Sequence, residues 1–178
     1  MRVKWARREE SPNRSSREGS EVECVVIHHI SLPPGEFGGP HIVDFFRGRL
    51  DTSAHEYFKE IEGIKVSSHF LIDRKGEAVQ FVDTSEAAWH AGVSSWKGRG
   101  NVNLFSIGIE LEGDMVSGYT EAQYETLGRL LGELKKEYPA LTPESLTGHE
   151  HVAPGRKADP GPLFDWERAK DFLKGSVS

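Results

Sequence analysis

A single cysteine, Cys24, is present among 178 residues. No disulfide can form within the chain, which is the expectation for a reducing compartment. No stretch approaches the ~20 consecutive apolar residues that a membrane-spanning helix requires. The opening residues, MRVKWARREESPNRSSREGS, lack the apolar centre of a secretory signal. An excess of basic residues is missing too: the formal net charge is −6. That argues against a broad nucleic-acid-binding face, though not against a local basic pocket. No internal repeat is found. These absences lead us to expect a soluble, cytoplasmic monomer that engages neither nucleic acid nor membrane. The length suits one domain with a core large enough to need no covalent or metal staple.

What is there begins at Glu21. Residues 1–20 read as a polar, loosely held N-terminal arm, and 21–178 as the folded domain. ECVVIHHI is apolar and β-rich, a short buried strand, and LPPGEFGGP after it is a loop. HIVDFFRGRL and DTSAHEYFKEIEG predict short helices. SSHFLID and AVQFVDT flank the polar turn RKGE as a hairpin. FSIGIELEG alternates, with Phe105, Ile107, Ile109 and Leu111 on one side and Ser106, Gly108, Glu110 and Glu112 on the other. That pattern predicts a half-buried strand. TEAQYETLGRLLGELKKEY is the clearest helix: Thr120 and Gln123 form a capping box, and Tyr124, Leu127, Leu131, Leu134 and Tyr138 form a core-facing stripe. DWERAKDFL closes the chain as a short helix. The order predicts an α/β fold, a mixed central β-sheet with flanking helices.

The segment GHEHVAPGRKADPGP, residues 148–162, holds three prolines and three glycines and reads as neither helix nor strand. Such a loop needs something to order it, and a metal ion is one candidate. Histidine and aspartate are standard zinc ligands, and a catalytic zinc keeps three protein ligands and one open position. His149 and Asp159 can supply two ligands, and the pair His28-His29 at a strand end the third. Strand alternation does not choose between those two, because the run before them is apolar on both faces. Lys157, two residues before Asp159, shares its side of an extended backbone; on its own it reads as a solvated loop lysine, while beside a metal its use would be to stabilise an oxyanion. Glu110, flanked on its face by the small Ser106 and Gly108, is the candidate general base. Glu112 reads as solvent-facing and His69 as a core residue. Trp89 and His90 are candidates for the wall of a substrate groove, Trp89 equally for the core.

Together, IHHISLPPGEFGGP, VSSHFLIDRKGEAVQFV, AWHAGVSSWKGRGN, FSIGIELEG and TGHEHVAPGRKADPGPLFDW resemble the AmpD-type N-acetylmuramoyl-L-alanine amidases, zinc enzymes of muropeptide recycling. The resemblance runs from about residue 11 through the final helix. It implies a zinc amidase domain acting on 1,6-anhydro-muropeptides, with the fold of that family and of the peptidoglycan-recognition proteins. It implies His28, His149 and Asp159 as zinc ligands, so that His28 is the chosen member of its pair. Glu110 is then the general base and Lys157 the oxyanion-stabilising group. His29 stands where other members carry asparagine, and Asn101 and Asp73 where some carry arginine. His29, Trp89, His90 and Asn101 are accordingly the candidate substrate contacts. Three alternatives are a non-catalytic muropeptide-binding module of the same fold, an envelope amidase acting on intact wall, and a globular protein with a structural zinc in a closed four-ligand site.

Overall fold

A computed structural model describes residues 1–174, so the last four residues of the expected domain, 175–178, lie outside the described residues. Six strands form the main sheet: β1 (Arg7–Arg8), β2 (Cys24–Ile30), β3 (Phe70–Ile72), β4 (Ala78–Gln80), β5 (Ser106–Glu112) and β6 (Leu146–Gly148). Their order is β1-β4-β3-β5-β2-β6. β3 and β4 are the antiparallel hairpin predicted around RKGE. The remaining neighbours run parallel, so the sheet is mixed. Four helices complete the framework: α1 (His41–Phe46), α2 (Glu121–Glu137), α3 (His149–Val152) and α4 (Trp166–Asp171). None of the described helices is long and apolar enough to cross a membrane.

One face of the sheet carries Val25, Ile27, Ile107, Ile109 and Leu111, packed against the α2 stripe of Tyr124, Leu127, Leu131 and Leu134. The predicted capping box is formed, Thr120 Oγ1 accepting from Gln123 N and Gln123 Oε1 from Thr120 N. The buried Gln123 amide also donates to the carbonyls of Ile72 and Glu112, which ties the helix start to the ends of β3 and β5. Pro139 follows the last helical turn and cannot continue it.

Three expectations change. β5 alternates as predicted but is buried along its whole length, because it lies between β2 and β3 and its second face is covered too. Central parallel strands are buried on both sides, so their polar members need partners rather than water. Glu112 is therefore not solvent-facing: it accepts from the backbone N–H groups of Gly38 and Arg74. Secondly, Gly148 closes β6 and His149–Val152 make one helical turn, inside a segment read as irregular. HEHV itself contains no breaker; Pro154 and Gly155, at φ +77°, stop the turn just after it. Thirdly, residues 1–20 are not loosely held. β1 pairs with β4, Val3 is buried, and Val3 N donates to Gln80 Oε1. The buried Arg17 guanidinium donates to the carbonyls of Thr84, Leu104 and Ser106 at 2.9–3.0 Å. Those long-range partners fix a polar segment that has little apolar surface of its own.

His69 is a core residue, as expected. Its Nδ1 accepts from Gly108 N and its Nε2 lies 2.9 Å from the Glu86 carbonyl. Both contacts suit the neutral ring alone, since a charged ring has no lone pair for Gly108. Burial, reinforced by the Arg17 charge, lowers its pKa to about 3. The unfolded ring binds a proton below about 6.5, so this group's contribution to stability is present above that pH. It is lost as pH falls from there toward about 3. The His69 ring resonances are expected to stay in the neutral form down to pH about 4 in an NMR titration; a midpoint near 6.5 would contradict the account.

Candidate metal centre

The parallel strands bring the candidate ligands to one end of the sheet. β2 and β5 pair in register with His28 opposite Glu110, and Gly148 of β6 lies opposite Ile27. His28 therefore sits near the carboxyl end of β2, and His149 follows directly on the carboxyl end of β6. Carboxyl ends of parallel strands are the usual place for a site in α/β sheets. The loop 153–162 then folds back, with Asp159 O accepting from Glu150 N at 2.8 Å.

His28 Nδ1, His149 Nδ1 and Asp159 Oδ2 form a triangle with edges of 2.9, 3.1 and 3.2 Å. His149 Nε2 faces the Ala91 carbonyl at 3.2 Å. A carbonyl only accepts, so the His149 proton lies on Nε2 and its Nδ1 is a bare lone pair. Two imidazole nitrogens and a carboxylate oxygen thus converge with too few protons to pair them all. Donors bound at 2.0–2.1 Å to one tetrahedral ion stand about 3.3 Å apart, close to the edges seen here. The donor set fits a divalent cation of the zinc type and leaves room for a fourth ligand. The three side chains form a group of donors suited to a metal ion.

The local electrostatics agree. Burial lowers the His28 pKa to about 4, against the opposing pull of Asp159, so the ring is neutral and able to ligate. Burial pushes the Asp159 carboxyl up, but the close approach of the His149 and His28 rings outweighs it and holds the group far below the usual carboxylate range. Glu110 is the opposite case. Burial raises its pKa well above the ordinary value, the Asp159 charge adds to this, and Lys157 opposes it. Its Oε1 is 4.0 Å from His28 Nδ1, and its buried Oε2 has no hydrogen-bond partner among the described residues.

A cavity of about 420 Å³ opens over this end of the sheet. His149, Asp159, Glu110 and Lys157 line one part of it, with Phe45 and Tyr57 on the apolar side. His29 also reaches the cavity, and its buried Nε2 has no hydrogen-bond partner among the described residues. Trp89 lies instead on a neighbouring cavity of about 360 Å³, which shares Phe45, Ile61 and Ile64 with the first. Asn101 is exposed, at φ +57° just before a short 3-10 turn, and lines neither cavity. His90 lines the first cavity as well, yet most of its ring is buried beside His28, with its Nδ1 2.9 Å from His28 Nε2. Sequence reasoning attached no role to Tyr57 or Ile61, which come from a loop and short 3-10 turn after α1. Their signal, apolar positions in EYFKEI, does not distinguish cavity wall from core.

A family model described as N-acetylmuramoyl-L-alanine amidase matches residues 18–162. The chain is 52% identical over 172 residues to the 1,6-anhydro-N-acetylmuramyl-L-alanine amidase AmpD of Citrobacter freundii, a match covering 96% of this chain and 91% of that one. It is similar in structure to a crystallised selenomethionine derivative of AmpD, with a TM-score of 0.93 at 48% identity over 97% of this chain and 96% of that chain. AmpDh3 of Pseudomonas aeruginosa, crystallised in complex with anhydromuramic pentapeptide, matches with a TM-score of 0.63 at 26% identity, covering 97% of this chain and 65% of that chain.

Proposed function

Since the chain belongs to the N-acetylmuramoyl-L-alanine amidase family, we propose that it hydrolyses, with zinc, the amide between the lactyl group of 1,6-anhydro-N-acetylmuramic acid and L-alanine of the stem peptide. The observation that carries this reading is the triangle of His28, His149 and Asp159 donors beside a buried, unpartnered Glu110 carboxyl. Zinc, when bound there, polarises a carbonyl and lowers the pKa of water to about 7, so that hydroxide is available at neutral pH.

The chain's own groups supply the rest. Glu110 takes the proton of the attacking water on its carboxylate, whose Oε1 faces the donor triangle, and returns it to the alanine nitrogen as that leaves. Its raised pKa suits the return step, and the charge of a nearby cation favours the ionised form that begins the cycle. Lys157, on the exposed side of the cavity, balances the negative charge that develops on the lactyl carbonyl oxygen. His29 lines the cavity and is a candidate substrate contact, and Trp89 offers an aromatic face to the sugar in the adjoining cavity. A binding module that does not cut has no use for a buried carboxyl aimed at the donor triangle. The soluble substrate of a recycling step supports a cytoplasmic address, and we take the chain to act as a monomer.

Offering soluble 1,6-anhydro-muropeptides and intact sacculi in parallel tests the reading. Release of stem peptide from the soluble substrate is expected; cleavage confined to sacculi would point to an envelope amidase. In the Lys157→Ala chain, turnover is expected to fall by about 100- to 1000-fold, the usual loss for one oxyanion donor, with zinc content unchanged. Steady-state rates with metal analysis check this, and full activity would remove Lys157 from its role.

A further inference from the structure

Each histidine of the donor triangle has a second ring nitrogen, and both of these face one two-residue segment, His90–Ala91. His28 Nε2 lies 2.9 Å from His90 Nδ1, and His149 Nε2 lies 3.2 Å from Ala91 O. The segment is held from several sides. Asn103 Oδ1 accepts from the backbone N–H groups of both His90 and Ala91, at 3.1 and 2.8 Å. Arg156 Nη2 donates to the carbonyls of Ala91 and Val93. His90 Nε2 lies 2.9 Å from Ser106 Oγ. The His90 ring also lies so close to Gly108 that a Cβ there would come within 2.5 Å of its Cγ. The small residues Ser106 and Gly108 on one face of β5 are thus the seat of this ring.

Resting on the metal-centre reading above, we propose that His90 is a positioning residue of that centre: it accepts the Nε2–H of His28 and so presents His28 Nδ1 to the ion as a bare lone pair. A neutral imidazole carries one proton, and the partner of one nitrogen decides which nitrogen is free. For His149 the Ala91 carbonyl makes that choice. Among the described residues no carbonyl reaches His28 Nε2, and His90 Nδ1 stands in for one. His90 then carries its own proton on Nε2, toward the Ser106 hydroxyl, which accepts it. Outer partners of this kind fix ligand orientation, and losing one typically costs 10–100-fold in metal affinity.

The test measures zinc affinity by competition with a chromogenic chelator for the unaltered chain, His90→Leu and His90→Asn. Nitrogen-15 correlation spectra of the zinc-loaded unaltered chain assign the ring protons. His90→Leu is expected to bind zinc about 10- to 100-fold more weakly. His90→Asn is expected to recover most of that loss, because its Oδ1 can take the place of the ring Nδ1 as acceptor. The spectra are expected to show His28, His149 and His90 all protonated on Nε2. Zinc binding by a folded His90→Leu chain equal to the unaltered one overturns the inference while leaving the metal centre standing. So does a His90→Asn chain as weak as His90→Leu. Should His90→Leu fail to fold, a proton on His90 Nδ1 in the spectra overturns it. Absence of zinc binding by the unaltered chain overturns the metal-centre reading itself.

Discussion

The Asp159→Ala chain is expected to keep its fold and lose its zinc. Asp159 contributes two separable things. Its carbonyl oxygen accepts from Glu150 N, which anchors the 153–162 loop, and alanine preserves that bond. Its carboxylate supplies one corner of the donor triangle, 3.1 and 3.2 Å from the two histidine nitrogens, and alanine removes it. Two neutral imidazoles are left, without the only formal negative charge in the set. Losing a direct ligand is expected to exceed the 10–100-fold affinity loss that follows removal of an outer partner. After dialysis against a mild chelator, metal analysis is expected to find the unaltered chain loaded and the variant empty, with matching circular dichroism. Amidase activity of the variant is expected to fall to background. A variant that keeps one zinc per chain would remove Asp159 from the ligand set.

Glu110→Gln is expected to leave zinc in place and to lower turnover by about 100- to 10,000-fold, the range for loss of a positioned acid-base group. Glutamine keeps the size of the side chain and its place in β5 opposite His28. It cannot take up or return a proton. Stability supplies a second readout, with a definite sign. The folded Glu110 carboxyl has its pKa raised, first by burial and then by Asp159. In the metal-free protein its contribution is therefore fully present below the ordinary carboxylate pKa, and is lost as pH rises through the raised value. The metal-free Glu110→Gln chain lacks this loss. Its melting temperature relative to the unaltered metal-free chain is expected to rise from acid to neutral pH. A relative melting temperature that falls instead, or a turnover within tenfold of the unaltered chain, would contradict the role.

Much of the framework was legible because it depends on local chemistry. The capping box at Thr120 and Gln123, the α2 stripe and the β3–β4 hairpin each rest on residues a few positions apart. The strand CVVIHHI was legible as buried, but its burial on both faces is also why alternation could not choose between His28 and His29. The family resemblance made that choice, and register places His28 rather than His29 opposite Glu110. What escaped the sequence depends on partners far along the chain. Arg17 is polar in a polar segment until the carbonyls of Thr84, Leu104 and Ser106 surround it. Glu112 follows Glu110 at the alternation distance and is just as buried, yet it is satisfied by loop amides rather than left unpartnered. His90 lines the cavity, but its contact with His28 was not legible, because nothing local shows that Gly108 leaves room for its ring on the sheet.

The central claim is that this chain is a zinc-dependent amidase acting at the bond to L-alanine. The most direct measurement follows release of free stem peptide from purified 1,6-anhydro-N-acetylmuramyl tripeptide by mass spectrometry. It uses the chain as purified, after chelation, and after return of one equivalent of zinc. Release is predicted from the purified chain, lost on chelation and restored by zinc. Undiminished release from a chain shown to be metal-free, or no release from a folded, zinc-loaded chain, would contradict it.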